Sequence, residues 1–341
     1  MKTSTSPLSI MNPYLGNIDD MTSTMTDGKK DYVQPALKSL GSITLVVLRE
    51  IISPASFRNA ESEITDIDVA GHRHIRAVAN KFKFGERARG LQVLRHMGAG
   101  GASPQNKTAF AKGENPSARF DLNTLVFGDS ANMTGQKSLV LPVKAAAQYS
   151  DAISLQDYAP SVDATFHNRA SEDGSLFDAA KKENSNNIFE RHFVKPGTML
   201  LQAISFNGKT APIEALSHHL LSLGLAGAYG GGTSIYGINV RNHIVGLYGA
   251  HFERDIASPY VAISKLRDAG IDRNDMAAVQ AALSGMYEDA YAVSIAGDEV
   301  QTLQSEMIAA LESGDESQKE EYTQTAKKVG AYFDAWFAGV K

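Results

Sequence analysis

The hydrophobic pattern divides the chain into a strand-rich part before residue 253 and a helical part after it. Residues 42–52 (SITLVVLREII) are β-branched and apolar on both faces at their centre, and Ser53-Pro54 stops them, which predicts a central strand. Residues 63–69 alternate Ile64, Asp66 and Asp68 with Thr65, Ile67 and Val69, predicting a second strand with one polar face. Residues 85–97 place Ala88, Leu91, Leu94 and Met97 three apart before Gly98, Gly100 and Gly101, the signature of a short basic helix with a glycine stop. A Gly/Ala/Ser/Asn/Pro loop follows over 99–119. Residues 122–128 (LNTLVFG) and 138–143 read as strands, whereas 145–195 lack periodicity, carry the turn clusters SEDGS and ENSNN, and read as a long insertion. Residues 198–206 (TMLLQAISF) form a buried strand, Pro212 opens a helix with Ile213, Leu216, Leu220 and Leu223 on one face, and residues 238–248 form the last strong strand. Beyond Glu253, Val300, Leu303, Met307 and Leu311 make one helical stripe, and Tyr322, Ala326, Val329, Phe333 and Trp336 another, both with acidic outer faces. The first 30 residues show no period and read as a flexible arm.

Composition narrows the class. With 43% hydrophobic and 21% charged residues, the 341-residue chain has the balance of a globular protein, which excludes wholesale disorder. The absence of cysteine excludes disulfides, thiol nucleophiles and cysteine-ligated metal. No apolar stretch approaches the ~20 residues of a membrane span, and MKTSTSPLSIMNP lacks a signal-peptide core, so a cytoplasmic protein without a membrane partner is expected. The net charge of -5 conceals a gradient: residues 71–119 carry 10 basic and 2 acidic side chains, and residues 251–341 carry 8 and 16. A +8 block of this kind is a candidate nucleic-acid or anion surface, the alternative being solvated faces that happen to cluster, and the -8 tail is solvated or complementary to something basic.

Several motifs invite chemistry. The segment 227–237 (GAYGGGTSIYG) is glycine-rich, but it follows a helix and precedes a strand, the reverse of a mononucleotide loop. It predicts a close backbone approach, either to a phosphate or to a neighbouring strand. His72, His74, His218 and His219 match no metal-ligand spacing, and no serine sits in a nucleophile elbow, so neither a metal nor a cofactor is expected. Asp66 and Asp68 share a strand face beside the basic block, where they either serve a catalytic centre or pair with Arg73 or Arg76. In that block Phe82 and Phe84 interleave with Arg73, Arg76, Lys81, Lys83, Arg87 and Arg89. The cations suit phosphates; the two phenylalanines are expected to alternate inward as core.

The order strand, basic helix, strand with LVFGDS (125–130), insertion, strand led by KPGT (195–206), helix, glycine-rich loop, strand is β-α-β-β-α-β, a ferredoxin-like arrangement. Together with GERARGLQVLRHM (85–97) and the 227–237 loop, these segments resemble the RAMP superfamily of CRISPR-Cas proteins, in particular the Cas7 backbone subunit of type I-D effector complexes (Cascade). The resemblance implies an α+β fold: an RRM-like palm over 31–252 with fingers at about 53–84 and a thumb within about 130–195, followed by an acidic helical region over 253–341. It implies a subunit without a cofactor that polymerises with copies of itself along a CRISPR RNA, beside other effector-complex subunits. The guide pairs with target DNA or RNA, and the protein reads backbone and shape. RNA-binding candidates are Arg58, Arg73, Arg76, Lys81, Lys83, Arg87, Arg89, Arg95, Lys107, Lys112, Gly230, Gly231, Gly232, Thr233, Ser234 and Tyr236; thumb residues that wedge between bases would be Phe166, His167 and Arg169. An alternative is an endonuclease using Asp66 or Asp68. The acidic tail matches nothing in the generic family core and is expected against a neighbouring protein.

Overall fold

The structure, a computed structural model, describes residues 6–20, 24–27, 30–33, 41–57, 63–103, 108–134, 139–168, 177–178, 182–184, 188–233 and 237–338. In chain order its main elements are β1 (Ser42–Ile51), β2 (Asp66–Val69), β3 (His72–Ala77), α1 (Asn80–Met97), α2 (Leu122–Phe127), β4 (Asp129–Met133), β5 (Leu139–Val143), β6 (Ala147–Tyr149), β7 (Ala152–Asp157), β8 (Val162–Asn168) and β9 (Ile188–Val194). They continue with β10 (Met199–Asn207), α3 (Ile213–Gly224), β11 (Val240–Ala250), α4 (Pro259–Asp268), α5 (Met276–Ala290), β12 (Val293–Ala296), α6 (Gly297–Ser313) and α7 (Glu316–Trp336).

One antiparallel sheet organises the molecule, in the order β12-β11-β1-β10-β7-β3-β2, with β6 pairing β10 off this path. β1 lies centrally because its side chains are apolar on both faces, and the two faces meet different helices. Ile43, Leu45 and Val47 pack with α1, α2, α3, α6 and α7. Val46 and Leu48 join Leu155, Leu201 and Tyr248 under Ile263 and Leu266 of α4 and Leu283 and Tyr287 of α5. Helices therefore cover both faces of the sheet.

Several expectations need correction. Residues 122–127 are helix, not strand: Asp121 caps them by accepting from Thr124 N, and all six side chains are buried. A six-residue apolar run fits either state until its packing is known. After α1 the chain re-enters the central sheet through β6 and then β7, both inside the region read as an insertion. From that region β8 and β9 form a separate two-stranded ribbon, Val162 pairing Val194 and Asn168 pairing Ile188. Within 53–84, β2 and β3 extend the main sheet through a two-residue turn with Ala70 and Gly71 at positive φ. Residues 7–20 are not a free arm: Leu8, Met11 and Tyr14 are buried three apart on a 3-10 turn, with Leu15 and Ile18 in the same core. The acidic tail folds back on its own chain, with Phe333 against Phe120 and the Asp334 carboxylate 2.7 Å from Ser117 Oγ.

Candidate nucleic-acid interface

The site begins with the register of α1. The helix starts at Asn80, five residues before the predicted Gly85, and runs 18 residues to a left-handed Gly98. Phe82, Glu86, Gly90, Val93, Leu94 and Met97 face inward, while Ala88, expected on that stripe, is half-buried. Residues two apart on a helix point in nearly opposite directions, so Phe82 is fully buried and Phe84 is 63% exposed. The expectation that both rings turn inward fails at Phe84 because KFKF is helical, not extended.

Buried on the inner face of α1 is an ion pair that sequence reading missed. Glu86 Oε1 lies 2.8 Å from Arg49 Nη1 of β1, both side chains fully enclosed. The Arg49 guanidinium also donates to Gln202 Oε1 at 2.7 Å and Asn242 Oδ1 at 2.9 Å, and its carbon sits 4.2 Å above the Phe82 ring. Tyr229 donates its hydroxyl proton to Glu86 Oε1 at 3.1 Å; Tyr149 donates to Oε2 and lies 2.6 Å from His219 Nε2. Burial alone would raise the Glu86 carboxyl, but Arg49, His219 and Tyr149 outweigh it and hold it down to about 2. This cluster joins α1, β1, α3 and the start of the glycine-rich loop into one support.

Above it lies a groove of about 840 Å³. Lys81, Lys83, Phe84 and Arg87 of α1 form one wall, Gly230 and Gly231 another, and Phe127, Gly128, Asp129, Ser130, Val143 and Ala145 complete it with Val78 and Asn80. Arg87 pairs with Asp129 at 2.7 Å. Lys83 is half-buried 5.9 Å from the Tyr149 ring and faces no carboxylate at ion-pair distance among the described residues. Burial, then the Arg87 charge, lowers its pKa. An ammonium in this setting favours an incoming anion.

The glycine-rich loop makes the close approach to a neighbouring segment that was one of its two readings. Gly230 needs to be glycine for the fold, with φ at +77° and a built Cβ 2.5 Å from Ser56 O. Its neighbour Gly231 donates N–H to Ser56 O at 2.9 Å, yet lacks positive φ and has no atom closer than 3.8 Å to a built Cβ. Open space beside Gly231 lets a ligand approach the backbone.

Of the other candidates, Arg73 pairs with Asp66 and lies over the Tyr158 ring, and Arg76 pairs with Asp151 at 2.6 Å. Arg89 donates to Gln92, and Arg95 to the Gly101 carbonyl. Lys112 is exposed outside the groove, and Gly232 and Thr233 continue the loop beyond it. Phe166 is exposed on β8, opposite Glu190. Arg58, Lys107, Arg169, Ser234 and Tyr236, and the side chain of His167, lie outside the described residues. Asp68 Oδ1 accepts from Gly71 N at 2.9 Å, so Asp66 and Asp68 serve the hairpin separately. His74 is buried between the Ser154 carbonyl and Arg267, both at 2.8 Å. Among the described residues no group of three or more His, Asp or Glu could hold a metal, and no helix is long and apolar enough to cross a membrane.

The architecture is that of a mixed α+β protein with an antiparallel sheet and a helical C-terminal part, and it is similar to the crystal structure of Thermofilum pendens Csc2. The TM-score is 0.59 at 16% identity, over 97% of this chain and 96% of that one. The family model described as Csc2 Crispr matches residues 33–323; the chain belongs to the Csc2 CRISPR family. That match takes in α4, α5 and α6, so the acidic region up to residue 323 lies within the Csc2 family model. Two further structures are a subunit titled "CRISPR RNA-guided surveillance complex" (TM-score 0.39, 14% identity, 72% of this chain and 100% of that one) and one titled "Type IV-B CRISPR Complex" (0.40, 14%, 59% and 90%). At those scores neither bears on the argument. No curated protein matches the sequence.

Proposed function

We propose that this chain is the guide-RNA-binding backbone subunit of a type I-D CRISPR effector complex, a cytoplasmic protein that polymerises along the CRISPR RNA and presents it to a target strand. The observation that carries the reading is the groove between α1 and the glycine-rich loop, where Lys81, Lys83 and Arg87 line the same concave space as Gly231, whose missing side chain leaves the backbone open to close approach. Cations grip phosphates without reading sequence, as a protein must when base pairing supplies the specificity.

The strand order β11-β1-β10-β7, with α1 before β7 and α3 between β10 and β11, supports an RRM-like palm. An RRM binds RNA across its open sheet face. Here α4 and α5 cover one face and α1 and α3 the other, so RNA runs beside the sheet, over α1. The β8–β9 ribbon, with Phe166 exposed, supports a thumb within about 130–195 that displaces a base. Asp66 and Asp68 are engaged within the hairpin, and we assign them no cutting step.

The test is purification followed by extraction of nucleic acid. RNA should co-elute, longer RNAs should recruit more protomers, and the slope of log K against log salt should be about -4 if roughly six phosphates are neutralised per subunit. A salt-independent affinity, or mass that stays at one protomer whatever the RNA length, contradicts the proposal.

A further inference from the structure

We infer that Phe84 is a stacking platform for one unpaired nucleobase of the RNA in the groove, a role that rests on the reading of that groove given above. The ring stands on the outer face of α1, 63% exposed, among Lys81, Lys83 and Arg87. Its neighbour Phe82 is spent on the core, with Phe57 and Tyr229 each 5.2 Å away between ring centroids. Phe84 joins none of the buried hydrophobic clusters and forms no ring pair among the described residues. Single exposed apolar side chains are common on protein surfaces and ordinarily mean nothing. What sets this one apart is its place inside a concave, cationic groove. A phosphate on Lys81 or Arg87, each three residues from Phe84 on the helix, brings its nucleoside to the same helix face one turn away, and every base has a face that a phenyl ring can stack on. A single strand held by its backbone thus gains affinity without sequence preference, through a contact that releases no counterions.

That last property separates stacking from phosphate binding. The probe is a short labelled oligouridine RNA, with an abasic sugar-phosphate strand of equal length beside it, titrated into the full chain at several salt concentrations. Phe84→Ala should weaken oligouridine binding by about 5- to 150-fold with the salt slope unchanged, and Phe84→Leu should behave alike. On the abasic strand, wild type and Phe84→Ala should bind equally. Phe84→Trp, in a background where the single tryptophan Trp336 is changed to Phe, should keep the affinity and be quenched by oligouridine but not by the abasic strand. Wild-type affinity in Phe84→Ala or Phe84→Leu overturns stacking; if Lys83→Gln still weakens binding, the groove reading stands without it. If Lys83→Gln is silent too, both fall. Should Phe84→Ala bind the short RNA normally but lose self-association, the ring is a protein contact and the inference is wrong.

Discussion

The β2–β3 hairpin and the first two turns of α1 adjoin in the chain and both are rich in cations, yet the fold treats those cations in opposite ways. On the hairpin, Arg73 and Arg76 are matched by Asp66 and Asp151. On α1, Lys83 and Arg87 stand one turn apart with Asp129 as their one carboxylate at ion-pair distance among the described residues, in a concave setting that keeps Lys83 half out of water. A block charge of +8 therefore overstates the hairpin, whose cations are matched. Beneath α1, the Arg49–Glu86 pair is the enclosed counterpart of the exposed Arg73–Asp66 pair: the same chemistry, fully buried in one case and 59% and 37% exposed in the other.

The sharpest way to break this comparison is at the buried pair. Glu86→Ala leaves the Arg49 guanidinium enclosed without its carboxylate and should cost about 3–5 kcal/mol in denaturant unfolding; an unmoved unfolding midpoint would remove the support assigned to this cluster. Acidification comes next. Burial, then the neighbouring His219, holds the His218 pKa down at about 3, whereas an unfolded histidine titrates near 6.5. The unfolded chain takes up that proton first, so stability should be full above pH ~6.5 and fall as pH drops toward 3. Glu86, held near 2, contributes above its unfolded value of about 4.5 and loses that contribution below it, steepening the decline. Stability that stays flat from about pH 7 to pH 5 would contradict the neutral buried histidine.

Binding separates the two regions more gently. Lys81→Gln combined with Lys83→Gln should make the salt slope shallower by about 1.4, at roughly 0.7 per lost phosphate contact on a single strand. The matched pair Arg73→Gln and Arg76→Gln should leave the slope in place. The smallest effect belongs to Asp66→Ala, which opens an exposed pair and should move neither the unfolding midpoint nor RNA affinity by more than a trace. A large drop in either would promote the hairpin from bystander to site.

Much of this was legible in the sequence. β1, β10 and α3 follow from apolar runs with clear stops, and the two C-terminal stripes lie where α6 and α7 are found. The Asp66 pairing with Arg73 was one of the two alternatives open for that carboxylate. β7 was illegible because AISLQD is a short run inside a stretch without periodicity; it meets β10 over only two register pairs, Ile153–Leu201 and Ser154–Leu200. Phe84 was misread for want of a helix start: Ala79 at the N-cap makes no side-chain capping bond, so nothing in the sequence marks Asn80 as the first turn. The Arg49–Glu86 pair was invisible because its members are 37 residues apart and each looks, alone, like a surface charge. The spacing Phe82, Glu86, Gly90, with Val93 and Met97 beyond, does mark the inner face of α1 once the helix is extended to residue 80.

The most direct test of the central claim is photochemical. RNA bound to the assembled protein is cross-linked with ultraviolet light, digested, and the modified peptides are mapped by mass spectrometry. Cross-links should concentrate on residues 80–87 at the start of α1 and on 228–233 of the glycine-rich loop, the two walls of the groove. Cross-links centred instead on the hairpin at 66–77, or on α4 and α5 over the sheet, would place the RNA elsewhere and contradict the account.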